Sequence, residues 1–585
     1  MTRGETPGRR LSAGALAVTL PVAVALAATA CTDPPPTERA LRGLPAFCQE
    51  VLPQVDAHLA GLEQPSGERY GGTAVVGWMG ELVDGMNALV SADHGAAQHQ
   101  AFVNLMTLIQ FDEALEPRPY LAREWELSDD QTQLTFHLRD DVRWHDGEPT
   151  TAHDVAFTYL RATDPETGFP NAAFWERYVP GEAGVEVLDD QTVRFHLEPH
   201  AEPLDPWRAL AIMPRHLLGD VPPAELGDHP FGTRCPVGNG PFVFREHRPD
   251  ASWSFVRNPD FPEALGGPPH LDRYVYRIVP EEATLLTELL TEGVDVVPTP
   301  SPDQAGRIAE ADHLELLAFP FRSYLFVGWN QRRPQLADAR VRRALTLATN
   351  RRQMLDAVLQ GYGTVANAGV PPFHWAYHRG IEDALSYDPE RARALLDEAG
   401  WVDRNGDGVR QSADGTPLEV TLTYNTGSRP RRDVAEIMQA QLGEVGVGVR
   451  IQALEWATLV DRVTDPGQRD FDGVVMSWVT EFKVDDRDLF HSTSADEPYG
   501  WAGTRSAELD VLLDTLPLMV DRDEALPHWH RYQELLVREQ PFTFLFFPQR
   551  LVGVNHRIHG VRMDARGEWV SVADWWIPAE LRRGR

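Results

Sequence analysis

The densest set of candidate ligand atoms in the chain lies between Asp403 and Asp414. Oxygen donors stand at positions 1, 3 and 5 of this stretch (Asp403, Asn405, Asp407), glycine at position 6 (Gly408) and a carboxylate at position 12 (Asp414). That is the spacing of a calcium loop, in which the carbonyl at position 7, here Val409, also ligates. Calcium takes about six to eight oxygens, and this set supplies roughly five or six. Position 12 carries Asp where the EF-hand has Glu, and residues 418–422 read as a strand, so a complete EF-hand is excluded. An Asx-rich turn between helix and strand is the competing reading. A structural calcium ion is the one cofactor the sequence offers; no other is expected.

Two further motifs invite a chemical reading and lose it. Trp144-His145-Asp146-Gly147 sets an imidazole beside a carboxylate, a pairing used in general-base and metal chemistry. Asp-Gly is also a strong turn dipeptide, and a turn is the preferred reading. Gly238-Asn-Gly240-Pro241 is a lone glycine pair whose proline lacks the amide a phosphate cradle would use, so it too reads as a turn. No Gly-x-x-x-x-Gly-Lys-Ser/Thr, His-Glu-x-x-His or Gly-x-Ser-x-Gly pattern occurs. No catalytic residue is expected, and the chain reads as a non-enzyme.

At the usual domain size, 585 residues suggest roughly three to five structural lobes. With 42% apolar residues the chain can bury enough surface to fold. A net charge of −33 argues against a nucleic-acid partner. Lys483 is the only lysine, which reads as a compositional bias. Residues 1–30 are an address: Arg3, Arg9 and Arg10 precede an uncharged run from Leu11 to Ala30, the order of an export signal peptide. Ala28-Thr29-Ala30-Cys31 resembles the lipobox of bacterial lipoproteins, which implies lipidation of Cys31; a simply cleaved signal and a retained anchor are the alternatives. Asp33-Pro34-Pro35-Pro36 then reads as a stiff spacer, within a lipid-anchored linker and N-terminal extension over residues 31–70. In the oxidising compartment that export implies, Cys48 and Cys235 become a candidate disulfide, with two free thiols as the alternative.

The elements that would carry these residues alternate along the chain from Gly71. Thr73–Gly77 reads as an opening strand. Leu134, Phe136 and Leu138, and later Val193, Phe195 and Leu197, alternate with polar residues as half-buried strands do, which puts His137 and His196 on the solvent side. Thr151 and Asp154 have capping-box spacing before a helix. Asp388-Pro389 opens a helix with Ala392, Leu395, Leu396 and Ala399 on one face, and Gly400 stops it. A leucine-rich helix over 285–290 is followed by a strand at 294–297. This cadence means a mixed α/β architecture, in more than one lobe.

Several segments taken in order resemble the extracellular solute-binding proteins of the oligopeptide/dipeptide/nickel type (family 5), which serve ABC importers. They include Leu121-Ala-Arg-Glu-Trp125 and Val142-Arg-Trp144-His145-Asp146-Gly147, then Ala152-His-Asp154-Val155-Ala-Phe157 and Val237-Gly238-Asn-Gly240-Pro241-Phe242. Asn258-Pro-Asp-Phe261, Trp329-Asn330, Asp338-Ala-Arg340-Val-Arg342 and Tyr387-Asp-Pro389 follow. The set covers roughly residues 72–560. The resemblance implies a two-lobed, periplasmic-binding-protein-like (type II) α/β fold, with mixed sheets flanked by helices and an additional domain. By that analogy residues 71–110, 206–320 and 541–585 form lobe I, 111–205 the extra domain and 321–540 lobe II. Phe542–Pro548 is then the returning strand.

The resemblance also implies where a ligand sits. Phe471-Asp472-Gly473 to Trp478-Val-Thr-Glu481 is similar to the family's cleft-lining strand and loop. In peptide-binding members a carboxylate three residues after that tryptophan pairs with the ligand's α-ammonium, and Glu481 stands there. A solvated loop acid, neutralised by Lys483, is the alternative for Glu481, and ordinary core is the alternative for Trp478. Trp78, Trp375, Tyr377 and Trp501 are further aromatic candidates for the cleft, with plain packing as their alternative. Tyr424, Asn425 and Arg429 are candidates for meeting a ligand carboxylate. The expected protein is a monomeric, lipid-anchored receptor in the bacterial cell envelope, periplasmic or otherwise extracytoplasmic. It would capture peptides by hinge closure and hand them to the permease and ATPase subunits of an ABC importer. The same architecture holding a nickel chelate, haem, oligosaccharide or antibiotic is the first alternative, and an envelope hydrolase the second.

Overall fold

Ala74, Val75 and Val76 offer no polar side chain to either face, so the strand they form has to be covered on both sides. β1 (Thr73–Trp78) meets that demand, with Ala74 and Val76 in one apolar core and Val75 in another. The structure, a computed structural model, describes residues 42–583 except 92, 481 and 483. The export segment, Cys31, Glu481 and Lys483 lie outside the described residues.

Ahead of β1, helix α1 (Ala46–Gly61) buries Cys48, Val51 and Val55, and Cys48 is disulfide-bonded to Cys235. After β1 comes the short helix α2 (His94–His99), whose first turn is capped by the Asp93 carboxylate accepting from Ala96 N at 2.8 Å. The chain then builds a small domain. β2 (Ala122–Leu127), β3 (Gln133–Leu138), β4 (Val185–Asp189) and β5 (Thr192–His196) form an antiparallel sheet in the order β2-β3-β5-β4. Helix α3 (Ala152–Thr163) enters through a capping box in which the Asp154 carboxylate accepts from Thr151 N at 2.8 Å. Its Tyr159 packs with Phe195 and Trp207 beneath the sheet. His137 and His196 stay on the polar face near Glu126 and Glu186.

The next segment returns to β1. β6 (Phe242–Arg248), β7 (Ser252–Arg257) and β8 (Arg273–Ile278) form a meander, and β8 runs parallel to β1 with Thr73 opposite Arg273. Helix α4 (Glu282–Leu290) buries Leu285, Leu286 and Leu289. β9 (Val296–Pro298) starts two residues later than the apolar run suggests. The reason is Asp295, whose fully buried carboxylate accepts from Val75 N at 2.9 Å and from Arg557 at 2.6 and 2.7 Å. Helix α5 (Pro302–Ala309) and strand β10 (Leu314–Pro320) complete this part.

β11 (Ser323–Trp329) opens the second sheet only two residues after β10, so Phe321-Arg322 is the passage between sheets. β12 (Gly363–Val365), helix α6 (Pro389–Glu398), β13 (Glu419–Asn425), helix α7 (Arg429–Gly443), β14 (Gly448–Leu454), β15 (Gly473–Val479) and helix α8 (Arg522–Glu539) follow. Asp388 caps α6 by accepting from Arg391 N, and Gly400 after it has φ +89°, a left-handed stop. The fourteen-residue β16 (Phe542–Asn555) joins the halves. Its first half pairs with β11 and β12, its second with β9 and β10. It therefore runs beyond Pro548, because a second sheet waits there to take its hydrogen bonds. Across it the strand path reads β14-β13-β15-β11-β16-β9-β1-β8-β7-β6.

Candidate functional site

Where β16 passes from one sheet to the other, Pro548, Gln549 and Arg550 interrupt an otherwise buried strand and are half-exposed. Gln549, Arg550 and Leu551, the end of β1 at Trp78, His94 and the Thr299-Pro300 turn after β9 line a cavity of about 360 Å³. His94 also lines a second cavity, of about 160 Å³, with Phe102, Phe111, Arg208, Arg322, Phe482 and Arg566 among its walls. The larger cavity already reaches the lower part of the ~300–1,000 Å³ typical of small-ligand sites. Both lie against the passage between the sheets; the second lobe reaches the smaller one through Phe482, whereas the larger is lined by the first lobe and β16.

The electrostatics of this gap differ from those of the acidic chain around it. Among the described residues, its lining holds four guanidinium groups (Arg208, Arg322, Arg550, Arg566) and no carboxylate. Arg550 stacks on Phe321 at 3.5 Å and is ion-paired with Glu568, whose side chain is fully buried. His94 Nε2 lies 3.1 Å from the same carboxylate. Burial and the Arg550 cation push the His94 imidazole down to about 4, so the ring is neutral at pH 7. Burial and Arg322 also bring Arg550 down to about 10, which leaves it charged. Arg322 donates to the carbonyls of Ala565 and Thr480, and so ties the interlobe passage to both halves. Three of the four are ion-paired, Arg208 with Asp205, Arg566 with Asp564 and Arg550 with Glu568, so the lining is cationic groups held by protein carboxylates behind it, beside aromatic rings.

The structure distributes the sequence-predicted residues unevenly. Trp78 lines the larger cavity and sits 5.5 Å from Trp569. Trp478, at the end of β15, is half-buried against Tyr499 and Trp501. Trp501 is only 3% exposed and stacks on Phe326 inside the second lobe. Trp375 lies beneath Arg522 at a narrow space on the far side of Phe482, and Tyr377 packs beside it with its hydroxyl pushed up to about 12 by burial and Glu382. Tyr424 is buried in the core under β13, and Asn425 accepts from Arg431 at 2.6 Å. Arg429 is ion-paired with Asp303 of α5 across the gap and with Asp433. His94, Arg322, Phe482, Arg550 and Glu568 were not singled out in the sequence. The polar break at Pro548-Gln549-Arg550 in an apolar strand was the available signal for Arg550.

Trp144-His145-Asp146-Gly147 is a turn, with Gly147 N donating to Trp144 O at 2.8 Å, whereas 238–241 is an irregular segment that bends at Gly240-Pro241 and is held by Asn104 and Asn258. The fully buried ring of His145 donates from Nε2 to Gly240 O at 3.0 Å and accepts at Nδ1 from Gly238 N at 3.1 Å, while Asp146 pairs instead with His216. A Cβ on Gly238 would lie 1.7 Å from Asn104 O. In the 403–414 loop, Asp403 accepts from Gly406 N and Gly408 N, and Asp407 from Val409 N. The Gln411 side-chain amide donates to Asn405 Oδ1, Asp407 Oδ1 and Val409 O, so it holds together three of the proposed calcium ligands. Asp414 accepts from Ser412 and Thr416 at the following turn.

The family model described as bacterial extracellular solute-binding proteins, family 5 Middle, matches residues 116–499. The chain is 30% identical over 516 residues to the oligopeptide-binding protein AppA of Bacillus subtilis, covering 87% of this chain and 92% of that protein. It is also 30% identical over 473 residues to the dipeptide-binding protein of Escherichia coli, covering 77% and 84%. The solved structure of the Bacillus subtilis AppA in complex with a nonapeptide superimposes with a TM-score of 0.70 at 28% identity, covering 87% of this chain and all of that one. The two-lobed fold is thus shared with these solute-binding proteins.

Proposed function

Because the chain belongs to the bacterial extracellular solute-binding proteins of family 5, we propose that it captures peptides in the gap between its lobes and presents them to an ABC permease. The observation that carries this reading is the gap itself. Two sheets share one strand, and the cavities beside it are lined by aromatic rings and guanidinium groups, with Phe482 reaching in from the second lobe. A peptide's backbone and C-terminal carboxylate fit that lining, and the relatives named above bind oligopeptides and dipeptides. By the family pattern Glu481, three residues beyond Trp478, receives the α-ammonium at the other end.

Closure follows from where the chain crosses. Phe321-Arg322 and Pro548-Gln549 are two short passages about which the lobes can rotate. A ligand touching both lobes favours the closed form only by its extra contacts there, so the lobe-bridging contacts carry the signal to the permease. The body is tethered through a lipid on Cys31 and acts as a monomer; it performs binding and release, with no bond made or broken. Native mass spectrometry of protein purified from cells tests the reading. A ladder of peptide masses is expected, and added peptide at about 100 times its Kd adds ~2.7 kcal/mol of stability. A single non-peptide mass, with no thermal response to peptides, overturns it.

A further inference from the structure

Phe482 sits on a loop of the second lobe, yet its ring is embedded in the core shared by the small domain and the first lobe, with 7% exposure. It meets Phe111 with ring centroids 5.6 Å apart, and the guanidinium of Arg208 covers its face at 3.6 Å. Its backbone is fixed as well: His374 Nδ1 accepts from Ala376 N, so Nε2 carries the proton and donates to Phe482 O at 2.9 Å. A side chain crossing between lobes in this manner divides the space it enters. On one side is the 160 Å³ cavity of the gap, lined by both Phe111 and Phe482. On the other, the same two rings wall a constriction of about 10 Å³ beside Asp205, Trp375 and Arg522. That constriction shares Asp205 with an open groove of about 870 Å³ between the small domain and the second lobe.

We propose that Phe482 is a specificity-determining residue: its ring is the partition that ends the ligand-binding gap and so limits the length of peptide the protein accepts. This inference rests on the peptide reading above. With the ring in place, a ligand has the two cavities flanking His94 and no more. Without it, the smaller cavity opens through the constriction toward the outer groove, and a longer chain can continue between the small domain and the second lobe.

The test is a length series of peptides with a common N-terminal sequence, from three to nine residues, titrated calorimetrically into the full chain and into Phe482→Ala. The readout is the ratio of affinities for long and short peptides, because any loss of interlobe packing lowers both together. The unsubstituted chain should prefer the short members, and the Ala variant should raise the long-to-short ratio by at least about tenfold. Should Phe482→Ala fail to fold, Phe111→Ala opens the same wall from the other side, and should raise the same ratio. A ratio unchanged in a folded variant, with both affinities falling in parallel, overturns the inference and leaves Phe482 as packing. Binding of no peptide by the unsubstituted chain is a separate result that removes the peptide reading, and this inference with it.

Discussion

Asp486 offers a quantitative test of how the second lobe is held together. Its carboxyl is buried beneath the loop that carries Phe482 and accepts from the Tyr532 hydroxyl at 2.7 Å. Burial, with the neighbouring Asp485 charge, raises it from 3.8 to about 6 against the opposing effect of that hydrogen bond. Between those two values the folded chain holds a proton that the unfolded chain has lost. Stability therefore falls as pH rises through this window, and the penalty is complete above pH 6. The gap corresponds to about 3 kcal/mol at pH 8. Asp486→Asn keeps an acceptor for Tyr532 and removes the charge. The Tyr324 hydroxyl is also buried, senses the Asp486 charge and lacks a hydrogen-bond partner among the described residues. The variant should melt roughly 3–8 °C above the unsubstituted chain at pH 8, taking ~2–4 °C per kcal/mol for a lobe-sized unit and allowing for an imperfect fit of the amide. The difference should shrink to nearly nothing by pH 4. Calorimetric scans of both proteins across pH 4–8 decide the matter. A Tm difference that does not change with pH would show that buried charge is not what Asp486 costs the fold.

Three other expectations follow from the same reasoning. Asp295→Asn leaves Arg557 buried without its carboxylate and should cost about 3–5 kcal/mol, with Arg557→Met in the same chain recovering much of the loss in thermal melts. Trp501→Ala should destabilise the second lobe by ~3–5 kcal/mol as a core truncation, whereas Trp78→Ala should chiefly weaken ligand affinity; equal effects on binding would refute that division. The Cys48–Cys235 bond closes 187 residues of sequence and is worth up to about 5 kcal/mol by chain entropy. Its double serine variant should speed hydrogen exchange in α1, and unchanged exchange would show that the helix is held by packing alone.

Much of the local structure was legible from residue pattern alone. Alternation identified β3 and β5, and Thr151 with Asp154 marked the start of α3. Asp388-Pro389 and Gly400 bracketed α6, because caps and turns act through neighbours a few residues away. The ordered motifs from Leu121 to Pro389 carried the family, and with it the two-lobed fold. What the sequence could not reveal was which aromatic and charged side chains face the gap. Trp78 and Trp501 are alike as residues. One ends a strand beside a cavity and the other stacks on Phe326 in a core, and only the packing of distant elements separates them. Arg550, Glu568 and His94 lie 18 to 474 positions apart, and their meeting depends on β16 crossing between two sheets. Composition and family are properties of the chain read in order, whereas the gap exists only once its two halves fold against a shared strand.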